Sequence, residues 1–82
     1  MPVKCEDYSN VCVVTCDGDF TNESSLAVRK HVDDRIEQQR IVDFVIDLEK
    51  VDFIDSEGLE TLLWLKRRSE DLFGQVKLVN LK

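Results

Sequence analysis

The chain reads as an α/β fold: a small mixed β-sheet flanked by helices, in the order β-β-α-β-α-β. Three observations carry this reading. Residues 41–48 form a nearly continuous apolar run of β-type residues, as a central strand covered on at least one face should. Two segments of helical periodicity, residues 23–39 and 57–73, lie on either side of it. Shorter β-type runs stand before the first helix and after the second. Strands joined through helices require right-handed parallel crossovers, which makes the sheet a mixed one.

Each element has its own signals. Residues 3–8 read as a short strand, and Ser9-Asn10 supplies turn chemistry. Residues 11–16 read as a buried strand ended by Asp17-Gly18-Asp19, so the first two strands make a hairpin. Thr21 or Asn22 can cap the first helix, and Glu23 suits its first turn. Val28, Val32 and Ile36 recur every four residues as one apolar stripe, flanked by Leu26, while His31 falls off it as a solvated histidine. After the central strand, residues 49–54 read as a connector in which Phe53 and Ile54 anchor the next loop in the core.

On the second helix Leu59, Leu62, Leu63, Leu65, Leu72 and Phe73 share one broad arc that also contains Ser69. Trp64 points nearly opposite, among charged residues. Two readings of it stay open: packing under a neighbouring element, or a partner-binding anchor of the kind enriched at interfaces. Gly74 reads as the C′ glycine, and residues 76–81 as the last strand.

Eighty-two residues make one domain, spanning 1–82. A net charge of −6 argues against gripping phosphate backbones through a basic surface and favours basic protein partners, so no direct nucleic-acid contact is expected. No run reaches transmembrane length, so no membrane insertion is expected. Cys5, Cys12 and Cys16, an odd number of cysteines without a leader, suggest a reduced, cytoplasmic chain. Cys12 and Cys16 read as buried small hydrophobes. His31 is the sole histidine and no paired ligand set accompanies the cysteines, so neither a metal nor a cofactor is implied.

Asp55-Ser56-Glu57-Gly58-Leu59 sets a hydroxyl where a strand-side loop turns into a helix, a place suited to an anion. Ser56 could be a cap, a nucleophile or a phosphorylation site. A nucleophile lacks both the Gly-x-Ser-x-Gly elbow and a nearby base, so no catalytic residue and no enzyme is expected. The local pattern by itself leaves a cap.

The wider pattern adds a resemblance. Residues 45–59, an apolar strand, Asp47-Leu48, a short connector, Phe53-Ile54, Asp55-Ser56, then Gly58-Leu59, resemble the signature of STAS domains, the family of anti-sigma-factor antagonists. The order of elements agrees from about residue 11 onward. The resemblance implies a SpoIIAA-like sheet flanked by helices. It also implies that Ser56 is phosphorylated by a cognate anti-sigma factor that is a serine kinase, that the unphosphorylated form binds that factor, and that a phosphatase restores binding. The implied docking surface comprises Asp55, Ser56, Glu57, Gly58, Leu59 and Thr21, with Trp64 as a candidate anchor.

Three departures from the family pattern stand out. Thr21 replaces an acidic residue, Glu57 replaces a small one, and the helix that usually follows the last strand is absent from this sequence. The last departure leaves a sheet face or the first helix underpacked, and fits a fragment truncated at the C-terminus, a shortened variant, or half of an association such as a homodimer. The first two keep a second implied function open: a STAS subunit of a transporter ATPase complex or sensory scaffold, without a phosphorylation cycle.

Overall fold

The computed structural model describes residues 3–80. Its elements are β1 (Val3–Tyr8), β2 (Val11–Phe20), α1 (Asn22–Gln39), β3 (Asp43–Ile54), α2 (Ser56–Asp71) and β4 (Val76–Val79). The strands lie in the order β1-β2-β3-β4 in one sheet. β1 runs antiparallel to β2, while β2, β3 and β4 are parallel, as crossover helices require. Residue 81, the end of the expected last strand, lies outside the described residues.

Period-two burial explains the core. Cys12, Val14 and Cys16 of β2, with Phe44, Ile46 and Leu48 of β3, are all but sealed from solvent. Register pairs Cys12 with Phe44 and Val14 with Ile46, so these residues share a face. Val28, Val32 and Ile36 of α1 and Leu62 and Leu65 of α2 close over that face. The intervening residues Val11, Val13, Thr15, Asp43, Val45 and Asp47 are half-buried on the other face.

Several expectations change. β2 does not stop at Asp17-Gly18-Asp19 but pairs with β3 as far as Phe20. Two register shifts separate Thr15 from Asp17 and Gly18 from Phe20, and at each β3 contributes one extra residue. The expected connector is therefore bulged strand. Gly18 takes a φ of 98°, so the turn residues serve the irregular pairing and leave the strand running. The bulges also reset alternation: burial steps from Leu48 to Val51 by three residues, and Phe53 is left 56% exposed. Phe53 thus does not anchor the loop. Ile54 does, opposite Phe20 and packed on the core.

The apolar arc of α2 is only half covered. Leu62, Leu65 and Ser69 are buried, whereas Leu59, Leu63 and Leu72 are exposed and Phe73 is 97% exposed. The helix rests its buried stripe on the sheet, and β4, being short, leaves the flank open. That flank forms a shallow groove with Lys66, Val76 and Leu78.

The helix stop is a Schellman motif shifted by one residue from expectation. Phe73, at φ 66°, takes the left-handed C′ position, and its N–H donates to the Glu70 carbonyl at 3.0 Å. Gly74 follows as C″ and donates to the Ser69 carbonyl at 2.7 Å. Gly74 is required for space: a Cβ there would stand 2.0 Å from the Val42 carbonyl oxygen.

Candidate docking site around Ser56

Both helices begin at the same end of the sheet. Phe20 pairs with Ile54 at the ends of the parallel strands β2 and β3. The next residues, Thr21 and Asp55, are the N-cap positions of α1 and α2. Two helix N-termini therefore lie side by side, each with partial positive charge from its first amides. Thr21 is half-buried and its side chain makes no capping bond; its carbonyl accepts the Ser25 N–H at 2.8 Å. Ser24 Oγ donates to the Asp19 carbonyl at 2.8 Å and ties α1 back to the end of β2.

The second helix start is tightly built. Asp55 Oδ1 accepts the Gly58 N–H at 2.8 Å, and the Asp55 carbonyl accepts the Leu59 N–H at 3.0 Å. The Asp55 N–H donates to the Phe20 carbonyl at 3.3 Å, joining the loop to β2. Gly58 is buried against that same residue: a Cβ would fall 2.3 Å from Phe20 O and 2.7 Å from Phe20 Cδ1. Asp55 and Gly58 thus hold the loop in place.

The cap is Asp55, which corrects the simpler reading of Ser56 as the capping residue. Ser56 is the first residue of α2, exposed, and its hydroxyl has no hydrogen-bond partner among the described residues. A hydroxyl with no structural task, held at a rigid helix start, is free to react or to dock. Glu57 is exposed beside it, and Leu59 is 56% exposed one turn on. The loop is consequently a polar point with an apolar neighbour.

A shallow depression continues from Glu57 between the helices. Leu26, Arg29, Glu60 and Thr61 line it, with Ser25, whose buried hydroxyl has no partner among the described residues. Arg29 Nε donates to Thr61 Oγ1 at 3.3 Å, and its guanidinium lies 5.1 Å from the Trp64 ring centroid. Trp64 is half-buried and packed on the core, so the wheel's charged face is in fact the seam with α1. Its ring edge, with Glu60, Leu63 and Arg67, borders a second depression that shares Arg29. Sequence reasoning missed Arg29 and Leu26. An arginine among six other charged residues on α1 carries no signal until the α1–α2 seam is known, and Leu26, 65% exposed, had read merely as flanking the core stripe.

Residues 3–82 match the STAS domain family. The chain belongs to the STAS domain family. It is 27% identical over 82 residues to the anti-sigma F factor antagonist of Paenibacillus polymyxa, and it spans 62% of that relative's length. Its fold is similar to that of the anti-sigma factor antagonist SpoIIAA in its unphosphorylated form, with a TM-score of 0.88 at 21% identity, covering 99% of this chain and 74% of the other. The phosphorylated form of the Bacillus protein gives 0.86 over the same shares. A part of the murine anion transporter Solute Carrier 26 family member A9 is also similar, with a TM-score of 0.69 at 23% identity over 94% of this chain and 13% of the transporter. These likenesses bear out the STAS resemblance and the SpoIIAA-like order of elements. Among the described residues no cluster of three or more His, Cys, Asp or Glu side chains is placed to hold a metal, and no helix is long and apolar enough to cross a membrane.

Proposed function

We propose that this STAS domain is an anti-sigma-factor antagonist, a protein-binding module whose docking is switched by phosphorylation of Ser56. The observation that carries the reading is the exposed Ser56 hydroxyl, released from capping by Asp55 at a helix N-terminus. The curated relative is named an anti-sigma F factor antagonist, and SpoIIAA has been solved with and without phosphate, which supports the same role.

The physics of the switch is local. A phosphate adds about −1.5 to −2 charges at neutral pH. The first amides of α2 and its dipole tolerate that charge, so the domain itself need not refold. At a desolvated interface the same charge stands beside Asp55 and Glu57 and opposes a partner that fitted a neutral hydroxyl. The partner in this reading is an anti-sigma factor with serine kinase activity, and a phosphatase resets the site. Thr21, Leu26, Leu59 and the Arg29–Trp64 edge flank Ser56 and make up the rest of the docking face.

The test is co-purification from cells with wild-type chain, Ser56→Ala and Ser56→Asp. An anti-sigma kinase retained by wild type and Ser56→Ala but lost by Ser56→Asp is the expected result. Equal retention by all three overturns the switch. A second reading, a STAS subunit of a transport complex bound without phosphorylation, draws on Glu57 in place of a small residue. It is favoured if a membrane ATPase complex is retained in place of the kinase.

A further inference from the structure

We propose that Cys5 and Cys12 form a redox-active thiol pair at the edge of the sheet, in which a hydroperoxide oxidises Cys5 and Cys12 then closes a disulfide with it. The hairpin register sets up the pair. Cys5 faces Val14 and Cys12 faces Asp7, so the two cysteines are diagonal neighbours on one face of an antiparallel pair. Cys5 is half-buried on β1, an edge strand, and so is reached from solvent. Cys12 is fully buried behind it. The two thiols interact across the hairpin, each altering the other's acidity. Arg35 of α1 reaches the same corner, its Nε donating to Asp7 Oδ1 at 2.9 Å.

This environment separates the roles. The interaction with Cys12 lowers the pKa of Cys5; burial opposes it, the Arg35 charge adds to it, and the Asp7 carboxylate works against it. Cys12 is pushed the other way, first by its interaction with Cys5 and then by burial. Cys16, on the same face, is pushed up to about 12 by burial and stays a neutral core residue. Cys5 is thus the nucleophile and Cys12 the resolving thiol.

With hydrogen peroxide as oxidant, the Cys5 thiolate attacks one peroxide oxygen. An S–O bond forms, the O–O bond breaks, and hydroxide leaves to take a proton as water. Cys5 becomes a neutral sulfenic acid, which removes the negative charge that had held the Cys12 proton. Cys12 then gives up its proton as its sulfur attacks Cys5; the S–S bond forms and a second water leaves. The pair loses two electrons and the peroxide gains them. The diagonal spacing exceeds that of a directly opposed pair, so closure of the disulfide draws β1 toward β2. The pair lies near the start of β2, at the opposite end from Ser56, so this proposal stands apart from the docking switch.

The test is oxidation of the reduced full chain by hydrogen peroxide, blocking of remaining thiols, and mapping after cleavage at acidic residues; Glu6 and Asp7 lie between the two cysteines. A linked Cys5–Cys12 peptide in the wild type is the expected product. The Cys16→Ala chain should give the same product. Cys12→Ala should accumulate Cys5 sulfenic acid that a cyclic diketone traps, and Cys5→Ala should consume peroxide roughly tenfold more slowly or less. Circular dichroism checks that the variants fold; if Cys12→Ala does not, the wild-type map alone decides. A linkage through Cys16, a linkage only between chains, or Cys5→Ala reacting as fast as wild type overturns the proposal.

Discussion

Asp55 and Gly58 are joined by a side-chain cap, the carboxylate Oδ1 accepting the Gly58 N–H at 2.8 Å. That bond separates two tasks that adjacent residues of the loop could have shared. Asp55 carries the stability of the helix start, and Ser56 carries none of it. Asp55→Ala should therefore cost ~1 kcal/mol, the ordinary value of an N-cap, while Ser56→Ala should stay within ~0.5 kcal/mol. Urea denaturation of the two variants measures both, and a larger loss at Ser56 than at Asp55 would reverse the assignment.

Gly58 and Gly74 are held by space. Alanine in a helix is ordinarily favoured over glycine by about 1 kcal/mol, so Gly58→Ala would stabilise an unobstructed site. Here the added methyl meets the Phe20 carbonyl oxygen at 2.3 Å, a backbone atom that cannot swing aside. The expected outcome is a net destabilisation of ~1–3 kcal/mol, with a similar loss for Gly74→Ala against Val42. Thermal melts showing either variant more stable than wild type would contradict the packing described.

Arg29 and Trp64 should be energetically coupled across the α1–α2 seam. The guanidinium over the ring and its bond to Thr61 imply a coupling of about 0.5–1 kcal/mol in a double-mutant cycle of Arg29→Ala and Trp64→Ala. If the single-variant losses simply add, Trp64 packs on the core without help from Arg29.

Asp47 ties β3 to the end of β4. Its Oδ1 accepts the Asn80 amide at 2.9 Å and the Glu49 N–H at 3.0 Å. Those two bonds, Asn80 first, lower its pKa, with the Lys50 charge adding to them against slight desolvation. A carboxylate with a depressed folded value stabilises above its unfolded value, near 3.9, and that stabilisation disappears as pH falls through the folded value. NMR titration should find Asp47 below the ordinary range, and Asn80→Ala should move it upward. An unchanged titration would remove the Asn80 bond from the account.

Much of the fold was legible in the chain because burial repeats with the period of each element. Val28, Val32 and Ile36 on α1 fell where their spacing placed them, and the apolar run over residues 41–48 fell on the central strand β3, whose Phe44, Ile46 and Leu48 are buried. The bulges in β3 were hidden, because an extra residue changes pairing without changing composition. Phe53 was misassigned for that reason. Phe73 was misassigned because a helix wheel continues past the true stop, and the left-handed residue there is an aromatic where glycine was expected. At the site, Asp55-Ser56-Glu57-Gly58-Leu59 was legible from its position before a helix, but the division of labour within it was not. Which side chain caps depends on where the first helical turn begins, and that is set by the Phe20 contacts to Asp55 and Gly58. Trp64 could not be resolved by a single-helix projection, since its cover comes from Arg29 on another helix.

The most direct test of the central claim is phosphate mapping on the chain after incubation with ATP and the anti-sigma kinase that co-purifies with it. One phosphate on Ser56, absent from Ser56→Ala, together with partner binding weakened by ~1 kcal/mol or more in Ser56→Asp, is the result this account predicts. Phosphate on another residue, no phosphate at all, or unchanged affinity in Ser56→Asp would contradict it.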